Sequence, residues 1–233
     1  YSINLTVNEF WNNLYKICFI DKNKDAYETW NKYLEKLSNI TDKLNEYNFD
    51  HLEYKNELGT DLKIYLPKGH KWSSGKSPNG DICNMPTLEV FTSPEYNKTE
   101  GIVYSSKPLS YKGQLIENFW IKFEHGKVVD VHAEKNEHVL REMVSMDEGA
   151  TMLGEVALIP YDSPISNLNI LFYNTLFDEN ASCHLALGMG FPNCIKDFEK
   201  YSLEEIRQMG VNDSMIHVDF MIGTKDLSIV GTT

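Results

Sequence analysis

Met215-Ile-His-Val-Asp-Phe-Met-Ile-Gly223 alternates between apolar and polar residues. Read as an extended strand, it sets Ile216, Val218, Phe220 and Ile222 on one side and His217 and Asp219 on the other. An imidazole and a carboxylate two residues apart then leave a rigid apolar base in the same direction. That presentation suits a divalent metal, because a strand fixes ligand direction more firmly than a loop. The same alternation is shown by any half-buried strand whose polar face meets water.

Further strands are expected upstream. Glu117 to Glu124 and Lys127 to Ala133 alternate around His125-Gly126 and predict a hairpin. Asp61 to Leu66, Leu88 to Thr92, Ile102 to Ser106, Leu153 to Ile159 and Ile170 to Thr175 have strand patterning. Helices are expected in front: Thr6-Val-Asn-Glu9 has the spacing of a capping box. Asp25 to Tyr47 keeps a helical period through Ala26, Trp30, Leu34, Leu37 and Leu44. Asn136 to Met146 and the segment opened by a second capping box, Ser202-Leu-Glu-Glu205, add two helices. Pro67 to Pro86 is a long Gly/Ser/Pro/Asn-rich loop with His70 and Trp72 near its start, where both could reach a substrate. The expected fold class is α+β, a mixed α/β layered domain. Its N-terminal helices, residues 1–58, pack on a mostly β core, and the Met215–Gly223 strand closes the fold.

The chain has 233 residues, 42% hydrophobic, enough for one large domain. It starts at Tyr1 and reads as a fragment of a longer chain. A net charge of −12, spread along the chain, argues against a nucleic-acid partner and favours cations, including protonated amines. Cys18, Cys83, Cys183 and Cys194 show no CxxC pairing and read as reduced thiols of a cytoplasmic protein. No apolar run is long enough to span a bilayer and no signal peptide opens the chain, so no membrane role is expected.

Four places put a carboxylate or imidazole inside an apolar segment: Glu89, Glu155, His184 and the His217/Asp219 pair, with Glu179 just ahead of His184. Burying several unpaired carboxylates together costs many kcal/mol, and divalent cations relieve that cost directly. Glu, Asp and His donors without a thiolate suit zinc, manganese or cobalt, and carboxylates readily bridge two ions. Taken singly, Glu155 could pair with Lys or Arg, and His184 could be a satisfied core histidine.

Asn84-Met-Pro-Thr-Leu-Glu-Val-Phe-Thr92, Asp147 to Leu158, Phe172 to Gly188 and His217-Val-Asp-Phe-Met-Ile-Gly223, together with Leu66 to Trp72, resemble the thermophilic metalloaminopeptidases. This is peptidase family M29, the aminopeptidase T/PepS/AmpS group, and the likeness falls on its metal-binding domain. The resemblance implies two divalent ions, zinc, cobalt, manganese or magnesium, held by Glu89, Glu155 as the bridging and catalytic carboxylate, His184, His217 and Asp219, with Glu179 close by. It implies release of N-terminal amino acids from peptides with a free N-terminus by metal-activated water, in a homodimer. Two positions depart from the family pattern. Leu88 stands where a Glu is usual, and Phe191 stands where a Tyr is usual. A carboxylate beside a ligand is a good general base, and a tyrosine can donate to an oxyanion. Losing both implies the alternative of a degenerate relative that binds metal or a peptide terminus without efficient cleavage.

Overall fold

The computed structural model describes residues 5–75 and 85–233. Cys83, Asn84 and the middle of the Pro67–Pro86 loop lie outside these residues. Helix α1, Val7–Ile17, opens on the expected capping box, with Thr6 and Glu9 satisfying each other's backbone N–H groups. Helix α2, Ala26–Tyr47, is capped by the Asp25 carboxylate, which accepts from the Glu28 N–H at 2.8 Å. It buries Trp30, Leu34, Leu37 and Thr41, its stripe at helical spacing. The helix stops at Asn48, which adopts the left-handed conformation.

The helical part is therefore shorter than its expected 58 residues, because His51–Lys55 is a strand, β1. Its charged residues Glu53 and Lys55 alternate with Leu52 and Tyr54, and five residues with two charges give a weak apolar pattern. β1 pairs antiparallel with β2, Asp61–Tyr65, and on its other edge with Ser228–Thr232 near the C-terminus. The Met215–Gly223 strand thus does not close the fold, since a later strand crosses to the other sheet. The short pair Ser73–Ser74 and Val90–Thr92, β3 and β4, follows, then β5, Glu100–Tyr104, and β6, Leu109–Tyr111. The expected hairpin is present as β7, Gln114–Glu124, and β8, Lys127–Lys135. His125 and Gly126 have φ of 52° and 80°, the positive pair that a two-residue hairpin turn requires. Helix α3, Glu137–Val144, buries Val139, Leu140 and Met143.

Strand β9, Leu153–Leu158, precedes helix α4, Thr175–Glu179. The strand expected at Ile170 to Thr175 is absent. The Asp178 carboxylate accepts from the Phe172 and Asn174 N–H groups and folds that stretch back on the helix. Ile170 and Phe172 pack in a local apolar cluster with Ile17, Leu88, Ile159 and Ile165. Strand β10, His184–Gly188, helix α5, Leu203–Gln208 on its Ser202/Glu205 capping box, strand β11, His217–Met221, and strand β12, Ser228–Thr232, complete the order.

Among the described residues two antiparallel sheets form, in the order β12-β1-β2-β5-β7-β6, with β8 on β7, and β11-β10-β9-β4-β3. Their apolar faces share one core that includes Tyr54, Ile64, Phe119, Ile121, Val156, Leu185 and Phe220, each essentially unexposed. Burial of each large side chain contributes about 1.5–3 kcal/mol. Helices and antiparallel sheets in these layers make an α+β fold, as expected. No helix among the described residues is long and apolar enough to cross a membrane.

Candidate metal centre

The five-stranded sheet brings the candidate residues to one face by register alone. Ala186 on β10 lies opposite Glu155 on β9 and opposite Asp219 on β11. His184 is two residues from Ala186, and His217 is paired with Gly188, so both imidazoles share that face. Phe91 on β4 pairs with Ala157, which puts Glu89, two residues before Phe91, on the same side. Leu88, Val90, Val156, Leu185, Leu187, Val218 and Phe220 alternate with these residues and pack away from them. The small residues Ala157, Ala186 and Gly188 leave room for the polar side chains to meet.

Two donor groups result. Glu89, Glu155 and His184 present ligand atoms within 4.8 Å of one another, and so do Glu155, His217 and Asp219. Glu155 belongs to both. His184 Nε2 is 3.1 Å from Glu89 Oε2, and His217 Nε2 is 3.1 Å from Glu155 Oε2 and 3.4 Å from Asp219 Oδ1. Each ring is turned by its other nitrogen. His217 Nδ1 donates to the Met189 carbonyl at 2.7 Å and His184 Nδ1 to the Ser182 carbonyl at 3.2 Å, leaving both Nε2 atoms for the cluster. Glu179, at the end of α4, is half-buried beside Asp219, with the Asn180 side chain at 3.5 Å.

The electrostatics are those of a site short of positive charge. Among the described residues no lysine or arginine pairs with Glu89, Glu155, Glu179 or Asp219, and the partners of Glu89, Glu155 and Asp219 are histidines. Burial pushes the Glu155 carboxyl up to about 7, against the His217 hydrogen bond. Burial and then the Asp219 charge push Glu179 up to about 9. Burial opposes charge on His217, yet the facing Asp219 and Glu155 carboxylates outweigh it and push the imidazole up to about 11. His184 likewise overcomes its burial through Glu89 and rises well above the imidazole range. Burial works to raise the Asp219 carboxyl, but the facing His217 imidazole holds it below its ordinary value. Glu89 Oε2 and Asp219 Oδ1 are buried, each facing a histidine Nε2, at 3.1 Å and 3.4 Å, without a well-formed hydrogen bond. Orphaned carboxylate oxygens facing imidazole Nε2 atoms fit a divalent metal, which supplies the missing charge and the missing partner together.

The remaining expected site residues lie elsewhere. Trp72 is 1% exposed in the core, its backbone held at both ends by the Asn45 side chain, so it presents no surface to a substrate. A tryptophan followed by Ser/Gly-rich chain looks exposed in sequence, but α2 covers it. His70 is 2% exposed and its Nδ1 meets the Pro67 carbonyl. Leu88 is packed among Ile17, Ile159, Ile165 and Phe172, on the opposite side of its strand from Glu89. Phe191 is at the cluster: its ring centroid is 4.9 Å from that of His217, and its N–H donates to Ser93 Oγ. Met189, whose carbonyl meets His217, Gly154 beside it, and Asn212, whose side chain binds the neighbouring Gly188 carbonyl, have no sequence signature as site residues, because each acts through or on backbone atoms.

A model of the thermophilic metalloprotease family (M29) matches residues 2–233. The chain is 47% identical over 231 residues to aminopeptidase AmpS of Bacillus subtilis (strain 168), covering 97% of this chain and 56% of that protein. It is 41% identical over 229 residues to aminopeptidase T of Thermus aquaticus, covering 97% and 55%. The structure of wild-type AmpT from Thermus thermophilus superposes with a TM-score of 0.80 at 40% identity, covering 88% of this chain and 51% of that one. A 2,5-dihydroxypyridine dioxygenase from Pseudomonas putida KT2440, 13% identical with a TM-score of 0.56, shares the fold alone. The chain spans about half the length of the curated relatives it matches.

Proposed function

Because the chain belongs to the thermophilic metalloprotease family M29, we propose that it forms the metal-binding part of an aminopeptidase that releases N-terminal amino acids from peptides. Glu89, His184, His217, Asp219 and the shared Glu155 would hold two divalent ions, zinc, cobalt, manganese or magnesium. The observation that carries this reading is the membership of Glu155 in both donor groups. When bound, such ions lower the pKa of a water and polarise a carbonyl. The chain's own residues do the rest. The buried carboxylates favour the protonated amine of a peptide N-terminus over a blocked one. Glu179 sits beside Asp219 outside both donor groups and is the carboxyl placed to take up a proton and return it, since Leu88 faces away and Phe191 has no hydroxyl. Assembly as a homodimer, which rests on the family likeness, and a cytoplasmic location, which rests on the unpaired cysteines, belong to the same proposal.

The test is metal content together with amino-acid release from free and N-acetylated peptides. Two equivalents of metal with cleavage of free peptides only is the expected result, and stoichiometric metal without any turnover defeats the enzymatic part. One observation favours a second reading, a relative that binds metal without efficient cleavage: the ring against His217 is Phe191, which offers no donor to an oxyanion.

A further inference from the structure

We propose that Asn212 is a positioning residue for His217, acting through the main-chain carbonyl of Met189. This inference rests on reading His217 as a metal donor. His217 Nδ1 stands 2.7 Å from Met189 O, and a ring nitrogen facing a carbonyl can only donate. That bond directs Nε2 toward Glu155 and Asp219. Met189 lies just beyond the end of β10, so its carbonyl holds the ring only as firmly as the chain around it is held.

Asn212 holds it from both sides. Its side-chain Nδ2 donates to Gly188 O at 2.6 Å, and its main-chain carbonyl, which any substitution keeps, accepts from Gly190 N at 3.0 Å. Met189 N donates to Ile216 O at 2.7 Å, tying the same residue to the start of β11. The second Nδ2 hydrogen goes to Gly149 O at 2.8 Å, in the turn that leads to β9 and Glu155. Asn212 is 6% exposed, and both of its amide hydrogens are used on backbone carbonyls. The packing leaves no slack. A Cβ on Gly154 would lie 2.2 Å from Met189 O, and one on Gly188, at φ +104°, would lie 2.1 Å from Ile216 O. His184 is held differently, by Ser182 O two residues away on its own chain segment, and does not depend on Asn212. Of the two imidazoles, Asn212 therefore bears on His217 alone.

Asn212→Ala and the milder Asn212→Ser are titrated with Co²⁺ alone, following the visible absorption, beside the unsubstituted chain. The affinity of one equivalent is expected to fall about 10–100-fold, the usual effect of losing a group that orients a ligand, while the other is unchanged. In the metal-free protein the Hδ1 proton of His217 is expected as a slowly exchanging NMR resonance that is lost in Asn212→Ala, with that of His184 retained. Equal weakening of both equivalents, or an unchanged His217 resonance in folded variants, overturns the proposal. If the unsubstituted chain binds no second equivalent while the His217 resonance still responds, the two-ion reading fails and the positioning role stands.

Discussion

His217 Nε2 and Glu155 Oε2 approach to 3.1 Å across two strands that are not neighbours, with β10 between them. Ala186 makes this approach possible, because its small side chain fills the row between Glu155 and Asp219. One carboxylate thereby serves both donor groups, and the ligands are not equivalent. Glu155→Ala is expected to empty both metal positions. His184→Ala and His217→Ala are each expected to weaken one by more than the roughly 10–100-fold typical of an outer residue. Metal content by mass spectrometry and titration checks this, and a single loss in Glu155→Ala would contradict the shared role.

Without metal the folded site keeps protons that the unfolded chain would release. Glu155 and Glu179, raised to about 7 and about 9, bind protons in the folded state above the ordinary carboxylate range. His217, raised to about 11, does the same above the ordinary imidazole range. Where the folded state binds more protons, stability falls as pH rises. The metal-free protein is therefore expected to lose stability through the window from the carboxylate range to about 9, with the His217 contribution fading toward about 11. Metal must displace these protons, so its stabilising effect is expected to grow over the same window. Thermal unfolding from pH 5 to 9, with chelator and with metal, reads both slopes, and a metal-free Tm that rises across the window contradicts the assignment.

The sequence carried the site further than it carried the fold. Alternation in Met215 to Gly223 put His217 and Asp219 on the correct face of β11, and Glu89, Glu155 and His184 stood out as charge in apolar segments. What it hid was non-local. β1 is short and partly charged and β12 is short and exposed; each is a strand through non-local pairing, β12 with β1 and β1 with both β12 and β2. Ile170 to Thr175 has strand composition, but Asp178 takes the Phe172 and Asn174 N–H groups. Trp72 is buried by a helix more than twenty residues upstream, which its own polar surroundings conceal.

Leu88 and Phe191 separate in the structure. A carboxyl at position 88 would enter the apolar cluster of Ile17, Ile159, Ile165 and Phe172, away from the donors. Leu88→Glu is expected to cost roughly 2–5 kcal/mol of stability without raising turnover. A tyrosine at 191 would keep its ring against His217 and bring a hydroxyl to the edge of the site. Phe191→Tyr is expected to raise kcat by up to about 10²-fold at nearly unchanged stability. Denaturant titration and peptide turnover check the pair, and a gain confined to Leu88→Glu would reverse the assignment.

Glu179 completes the account of proton movement. Its carboxyl is half-buried beside Asp219, outside both donor groups, and holds its proton up to about 9 in the metal-free protein. A residue in that position can exchange protons without leaving a ligand vacant. Glu179→Gln keeps the size and the hydrogen bonding but cannot ionise. It is expected to retain both metal equivalents and lose about 10²–10⁴-fold in kcat, with KM little changed. If Glu179 is instead a ligand, the same substitution lowers metal occupancy in step with activity. Metal content measured on the samples used for kinetics decides between the two.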